Sequence, residues 1–268
     1  MSSSSNETSR QKAYAFIQKK LLDGEIRAGD LVSELALAAE IGMSRTPVRE
    51  AIGQLEIEGL FDKVARVGTI VRLPDRRELR ELYQVREALE GHAAHEAASV
   101  LDSKSLDMME NLQQELNLVA EELASRELEF LDEALLHRFF NADIGFHSVI
   151  AEATDNRRML KIINEFRVIQ RVFEYDRMDY SYPFLESVAL EHGEVLAALR
   201  GGNGEDAQRA MVRHISASLD HALAGWARRD AAQLTASSVA SVVADASHAP
   251  SKSKRKFRRP LSSLQQSV

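Results

Sequence analysis

The sequence predicts a mainly α-helical protein: a small N-terminal domain of three helices and a two-stranded β-hairpin, followed by an all-helical antiparallel bundle of about six helices. Two observations support this fold class. Apolar residues recur every three or four positions along most of the 268 residues, which is the period of one helix face. Only the stretch from residue 61 to residue 72 carries the short β-branched runs of a hairpin, and residues 74–231 contain almost no strand pattern.

The composition argues against several classes of protein. The chain has no cysteine, so nothing indicates disulfides or thiolate metal sites, and the reducing cytoplasm is the expected location. No apolar run approaches the roughly 20 residues of a membrane span, so no membrane partner is expected. Residues 1–9 lack the apolar segment of a secretory signal and are expected to be a disordered lead-in.

The net charge of −7 is unevenly distributed along the chain. Residues 9–73 carry +1, residues 74–231 carry −12, and the residues from 232 onward carry +5. An acidic total would argue against a nucleic-acid partner, but binding depends on the local distribution of charge. The N-terminal domain is therefore still a candidate for binding DNA. Residues 232–268, rich in alanine and serine and then basic, are expected to be a disordered tail.

Two helices are predicted at the start of the N-terminal domain, residues 10–73, before the candidate DNA-reading helix. The first is predicted from Gln11 to Leu22. The second, Glu34 to Ile41, is capped by Ser33 and ended by Gly42 in the left-handed conformation. Its inward-facing residues are expected to be Leu35 and Ala38. The tight turn at Gly42 joins this second helix to the next one, and two helices joined in this way form a helix-turn-helix.

The next helix, which begins after Ser44, is the candidate DNA-reading element. Ser44 can cap it through its hydroxyl, and Pro47 lies in the first turn, where a missing N–H costs nothing. The predicted buried stripe is Val48, Ala51, Ile52, Leu55 and Leu60. Arg45, Thr46 and Arg49 lie off that stripe, and arginine side chains match the O6 and N7 acceptors of guanine in a major groove. On these residues alone, an amphipathic helix with solvated arginines is an equal alternative.

A two-stranded wing is predicted after this helix. Its strands are Phe61–Val64 and Arg66–Arg72, with Gly68 at the bend. Arg66 and Arg72 lie on the wing within reach of DNA phosphates.

Residues 10–73 resemble the winged-helix domain of the GntR family of bacterial transcription regulators. The clearest match is SRTPVREA, residues 44–51. Two positions depart from the family pattern: Ala28 stands where proline is usual, and Gly53 interrupts the helix at a cost of about 1 kcal/mol relative to alanine. The resemblance implies DNA contacts from Arg45, Thr46 and Arg49, with Ser44 and Gly68 near the DNA backbone.

Pro74 and Asp75 mark a linker, and residues 74–231 are predicted to form the helical domain. Short connections between its helices are typical of an antiparallel bundle. The six predicted helices span residues 76–100, 103–125, 128–153, 156–179, 183–199 and 205–229.

Four residues of this bundle could hold a divalent metal ion. Asp143 and His147 are one turn apart on the third helix, His192 lies on the fifth, and His214 on the sixth. Three imidazoles and a carboxylate would suit Zn²⁺ or a similar ion. Because these three histidines have no local ligand spacing, the residues alone favour hydrogen-bonded core or surface histidines.

Residues 75–230 resemble the helical ligand-sensing domain, of FCD type, found in the FadR subfamily of GntR regulators. The matching pieces include VREALE at 85–90 and DIGFH at 143–147, with His192 and His214 further on. The resemblance implies that Asp143, His147, His192 and His214 bind a divalent ion, with Zn²⁺ expected first and Ni²⁺ or Mn²⁺ as alternatives. It also implies that Arg86 meets an effector carboxylate; a salt bridge from Arg86 to Glu90, one turn on, is the alternative.

These features predict a DNA-binding transcription regulator, expected to be a repressor, and not an enzyme. A homodimer is expected to read a palindromic double-stranded operator, and a small carboxylate or sugar acid is expected to control its affinity. Three alternatives stay open. The ion itself could be the signal, the ion could be only structural, or the helical domain could be a metal-dependent hydrolase.

Overall fold

The architecture follows the predicted order of a small mixed domain and then long helices. The computed structural model describes residues 7–174 and 180–247, and in its last helix it describes side chains as far as Arg228. Within these residues the elements are α1 Ser9–Leu22, β1 Leu31–Val32, α2 Glu34–Ile41, α3 Arg45–Ile57, β2 Phe61–Val64, β3 Gly68–Val71, α4 Arg76–Ala97, α5 Ser103–Ser125, α6 Glu133–Ala153, α7 Arg157–Glu174, α8 Tyr182–Arg200 and α9 Gly204–Ser247. The predicted fold class is confirmed.

The wing has one strand more than the sequence predicts. β2 and β3 form the predicted antiparallel hairpin, in which Phe61 lies opposite Val71 and Val64 lies opposite Gly68. β1 adds to the other edge of β3, so the strand order is β1-β3-β2. A strand of two residues is too short to show a period-two pattern, which is why the sequence does not reveal it.

The helix-turn-helix is set by local capping. Ser33 accepts a hydrogen bond from the Ala36 N–H at 3.2 Å, and Gly42 ends α2 with a φ of 71°, as predicted. Ser44 occupies the N-cap position of α3 in extended backbone, but its hydroxyl makes no capping hydrogen bond, so that part of the prediction is wrong. α1 begins at Ser9, two residues before the predicted start, because Thr8 and Gln11 form a capping box.

The core of the N-terminal domain lies between α1, α3 and the sheet. The predicted stripe of α3 is fully buried, and Ile17 of α1 packs against it. Two residues from the distant helix α7, Val172 and Phe173, complete this core. Leu35 is 65% exposed, contrary to the prediction, because Leu37 and Ala38 are the residues of α2 that face inward.

The long helices enclose two further apolar cores. One contains Tyr83, Phe146 and Ile215, and the other contains Leu123, Phe139 and Phe184. The histidines of the candidate site lie among these cores, which keep water from them.

The last helix differs from its predicted bounds. α9 continues to Ser247, whereas the sequence predicts an end near Arg229 and a disordered tail from residue 232. The stretch is rich in alanine, the strongest helix former, and holds no proline or glycine that would end the helix. The chain divides into two compact units, one to Ala227 and one from Arg228 onward. The basic run 252–259, the predicted helix end near Asp179 and most of the lead-in (residues 1–6) lie outside the described residues.

Among the described helices, none combines the length and the apolar character that crossing a membrane requires.

Candidate metal centre and nucleic-acid interface

Three helices bring the four predicted metal ligands together. Asp143 and His147 project side by side from α6, His192 comes from α8, and His214 comes from α9. One ligand atom of each residue lies within 4.8 Å of the others. The three histidines are at most 2% exposed, and the Asp143 side chain is 17% exposed. These residues lie 71 positions apart at the extremes of the sequence, yet they form one cluster.

Hydrogen bonds orient two of the imidazole rings toward the centre of the cluster. His192 donates from Nδ1 to the Val188 carbonyl at 2.8 Å, and His214 donates from Nδ1 to Glu191 Oε2 at 2.9 Å. A carbonyl or an ionised carboxylate can only accept, so Nδ1 carries a proton, and in the neutral imidazole the lone pair is therefore on Nε2. This is the arrangement of a metal-binding histidine that is held by a second hydrogen bond.

The Nε2 atoms of His147 and His192 make no hydrogen bond of good geometry to any described residue. His192 Nε2 lies 3.3 Å from Asp143 Oδ1, and His147 Nε2 lies 3.8 Å from it. Two ligands on opposite sides of a metal ion are about 4 Å apart when each bond is about 2.1 Å. A spread of 4.8 Å therefore requires only small side-chain movements, and the donor set fits a divalent ion.

A buried ion network supports this cluster from the side of α4 and α7. Glu90 accepts a hydrogen bond from Arg86 Nε at 2.7 Å and one from Arg167 Nη2 at 2.9 Å. Arg167 Nη1 also donates to Asp143 Oδ2 at 3.2 Å. Glu90 Oε2 lies 2.6 Å from His147 Nδ1. The sequence indicated the contact of Glu90 with Arg86 but not the contacts of Arg167, because contacts across 77 and 24 residues leave no local signal.

The environment fixes the charge of each group. Burial raises the pKa of a carboxyl, but the neighbouring His192 and Arg167 outweigh it and hold the pKa of Asp143 well below its ordinary value. Burial followed by the charge of Arg167 lowers the pKa of His147 well below its ordinary value. Burial also lowers the pKa of His214. At neutral pH the site therefore presents an ionised Asp143 carboxylate and the neutral imidazoles of His147 and His214, which are the forms that bind metal.

A small cavity adjoins the cluster. Its lining includes Asp143, His214, Tyr83, Gln170 and Phe184, and its volume is about 30 Å³. That volume corresponds to about one water molecule. Among the described residues, this cavity is far smaller than the pockets that usually hold organic ligands.

Arg86 does not line this cavity, but its guanidinium lies 5.0 Å from the ring centre of Tyr83, which does. It is 2% exposed, and its Nε bonds to Glu90, which is the salt bridge that the sequence offered as the alternative. Its Nη1 makes no hydrogen bond to any described residue. An effector role for Arg86 therefore stays a prediction.

The predicted DNA-binding residues lie on one exposed surface of the N-terminal domain. Arg45 and Arg49, on the first turns of α3, have side chains that are 58% and 61% exposed. Both line a cleft of about 530 Å³ between α3, the start of α2 and the wing, and Gly68 lies on its wing side. Ser44, Thr46 and Arg66 are exposed nearby and do not line the cleft.

The wing arginines differ in their surroundings. Arg66 is exposed in the β2–β3 turn, where its φ is 67°. Arg72 instead forms an ion pair with Glu78 at the start of α4. The sequence placed Arg72 within reach of phosphates, but this pairing ties it to the base of the helical domain.

Comparison with known proteins agrees with both parts of the chain. The model of bacterial regulatory proteins of the gntR family matches residues 9–71, and the FCD domain model matches residues 81–217. Named relatives and a solved structure extend this likeness over most of the chain.

The probable D-xylose utilization operon transcriptional repressor of Paenarthrobacter nicotinovorans is 30% identical over 204 residues, which cover 76% of this chain and 84% of that protein. The HTH-type transcriptional repressor RspR of Escherichia coli (strain K12) is 25% identical over 206 residues, covering 76% of this chain and 85% of that protein. The solved structure of E. coli McbR/YncC aligns with a TM-score of 0.69 over 82% of this chain and 99% of that one; at 19% identity it shows the fold alone. The chain therefore belongs to the GntR family, with an FCD domain after its winged helix, and it is a transcription regulator rather than an enzyme.

Proposed function

We propose that this regulator represses transcription by binding a palindromic operator as a homodimer, and that a small organic acid at a metal-containing site controls its affinity for DNA. Residues 10–73 form the DNA-binding domain in this proposal, and residues 74–231 sense the acid and dimerise. The observation that carries it is the convergence of three inward-facing imidazoles and Asp143 beside a cavity, in a chain whose other end exposes two arginines on a recognition helix.

The DNA-binding part rests on α3 and the wing. One recognition helix reads few base pairs, so a two-fold dimer with half-sites about one helical turn apart is expected. Each arginine–guanine pair would contribute roughly 1–3 kcal/mol of discrimination. The names of both relatives as repressors support repression over activation.

The metal would be held by Asp143, His147, His192 and His214. Neutral nitrogen donors with a single carboxylate favour Zn²⁺, and Ni²⁺ or Mn²⁺ also accept this donor set. When bound, such an ion supplies a positive centre with coordination positions that a carboxylate oxygen can occupy. Glu90 and Glu191 would orient the ligand imidazoles through their Nδ1 atoms.

An acid effector requires the cavity to open. Pockets for organic ligands commonly have about 300–1,000 Å³, far more than the volume observed beside the cluster. The acid would therefore favour a second packing of the helices, which is a population shift. The relative named for D-xylose utilization supports an effector derived from a carbon source, such as a sugar acid.

Helix α7 provides the physical connection between the site and the DNA-binding domain. Arg167 bonds to two carboxylates of the site, and one turn further along α7 Val172 and Phe173 are buried in the core of the N-terminal domain. A displacement of α7 at the site would therefore move side chains of the core to which α1 and the recognition helix also contribute.

The test is a thermal-melt screen of the metal-loaded protein against small carboxylic and sugar acids, followed by operator binding. We expect at least one acid to raise the melting temperature and to change operator affinity about 5- to 150-fold, the usual range of allosteric coupling. An acid that stabilises the protein without changing operator affinity would contradict the proposed control.

The small cavity favours a second candidate, in which the ion itself is the signal. In that case, adding metal to the metal-free protein changes operator affinity strongly and no acid adds to it. A weak response to metal, together with a strong response to an acid, would remove this candidate.

Arg167→Lys is expected to weaken the coupling between the two domains. Lysine keeps the charge but cannot hold two carboxylates with the geometry of a guanidinium. We expect the acid-dependent change in operator affinity to fall at least threefold, measured by fluorescence anisotropy with and without acid. Arg138→Lys is the matched control, because Arg138 also bridges two carboxylates, Glu115 and Glu122, away from the site. An undiminished response in Arg167→Lys would exclude this route.

A further inference from the structure

Arg45 and Arg49, the two arginines expected to read bases, both bond to one acidic residue, Glu34. Glu34, the first residue of α2, accepts hydrogen bonds from Arg49 Nε at 3.1 Å and from Arg49 Nη2 at 2.9 Å. Arg45 Nη2 donates to the same carboxylate at 3.2 Å. A single carboxylate therefore holds both side chains that are expected to read bases.

The position of this carboxylate is fixed by the backbone. Ser33 caps α2, so Glu34 lies at the helix N-terminus, where the helix dipole favours a negative charge. The paired arginines lower the pKa of Glu34, with Arg49 contributing most, so the group stays ionised at neutral pH. α2 thus presents a charged acceptor at a defined place in the cleft.

Glu34 binds only one of the two hydrogen-bonding edges of the Arg49 guanidinium. Glu34 engages the edge formed by Nε and Nη2, and the outer edge, with Nη1 and the second Nη2 proton, is not used by it. That outer edge is the one that can approach O6 and N7 of guanine in the bidentate manner. The Arg49 side chain is 61% exposed, so this edge is open to a ligand in the cleft.

Neither stability nor attraction to DNA explains the pair. Ion pairs between exposed side chains contribute little to folding. A carboxylate beside a DNA-binding surface also repels phosphates and lowers non-specific affinity. The remaining explanation is that Glu34 orients the arginine side chain. An arginine that is already held in place loses less conformational freedom when it binds DNA.

We propose that Glu34 is a specificity-determining positioning residue that holds Arg49, and more weakly Arg45, in the orientation that reads guanine. This inference rests on the proposed role of α3 as the recognition helix. Glu34 acts through the arginines and need not touch DNA itself.

The test compares specific with non-specific binding. A DNA site is first selected from a random library with the wild-type protein. Affinities are then measured for that site, for variants with its guanines replaced one at a time, and for random DNA. Glu34→Ala is expected to lower the ratio of specific to random-DNA affinity at least tenfold, with the loss concentrated at the guanine positions.

Glu40→Gln is the matched control. It removes one negative charge from the same helix, but Glu40 pairs with Lys20 and not with the recognition arginines. We expect this variant to raise specific and random-DNA affinity by a similar small factor, which leaves the ratio unchanged. Circular dichroism melts verify that each variant is folded.

A double-mutant cycle separates orientation from direct reading. In an Arg49→Ala background, Glu34→Ala should produce little further loss of specificity. A full additional loss of specificity would mean that Glu34 reads a base directly. An effect of Glu34→Ala equal to that of Glu40→Gln would mean that Glu34 acts only through its negative charge. Either outcome overturns the proposal. If Arg49→Ala alone keeps full specificity, the recognition helix itself is misassigned, and the failure then lies in the proposed function.

Discussion

Arg49→Ala is expected to abolish specific operator binding while the fold and the metal content stay unchanged. Arg49 has an exposed side chain on the first turns of α3 and no role in the core. Losing one arginine–guanine pair costs roughly 1–3 kcal/mol. The proposed two-fold dimer would present the residue twice, so the expected loss is about 2–6 kcal/mol, or at least about 30-fold in affinity.

Footprinting and fluorescence anisotropy at physiological salt measure this effect. Arg213→Ala is the control, because Arg213 has a similar exposure of 62% but lies on α9 in an ion pair with Glu194. It should bind DNA like the wild type. If Arg49→Ala protects the same operator at wild-type concentrations, α3 is not the reading helix.

The second large effect is expected from Asp143→Ala combined with His192→Ala. The two substitutions remove the carboxylate and one of the three imidazoles from the cluster, so bound metal should fall well below one ion per chain. The stabilisation of the wild type by added metal should disappear with it. Metal analysis by mass spectrometry and thermal melts measure both.

Two further double variants serve as controls for this experiment. His92→Ala with Asp107→Ala removes the same residue types from exposed positions and should keep a full complement of metal. Asp143→Asn with His192→Gln keeps the side-chain volumes nearly unchanged, and so serves if the double alanine variant does not fold. Unchanged metal stoichiometry in a folded variant would show that Asp143 and His192 do not bind the metal.

The N-terminal domain could be predicted from local sequence signals, namely helix caps and the spacing of apolar residues. Ser33 and Gly42 mark the ends of α2 because a cap and a left-handed residue have few substitutes, and the apolar stripe of α3 shows which side is buried. The same local rules failed at Leu35 and at β1. Helix period alone does not say which of several apolar residues in a short helix meets the core.

The candidate metal site could be predicted only through family resemblance. His192 and His214 lie on different helices, and their spacing along the chain is set by the path of the fold, not by the geometry of a ligand sphere. Residue patterns alone favoured ordinary buried or surface histidines. The structure places these side chains in one cluster with Asp143 and His147.

The pairs between side chains could not be predicted from the sequence. Glu34 meets Arg49 across 15 residues, and Arg167 meets Glu90 across 77. Such contacts depend on how whole helices pack, which no local period encodes. They are also the contacts from which the coupling through α7 and the positioning role of Glu34 are inferred.

The most direct test is the metal content of the wild-type protein, measured by mass spectrometry after reconstitution with Zn²⁺, Ni²⁺ or Mn²⁺ and extensive dialysis. We expect one ion per chain, with the tightest retention for Zn²⁺. Retention of no ion would contradict the metal-dependent sensor, because the helical domain would lack the ion at which the acid is proposed to bind.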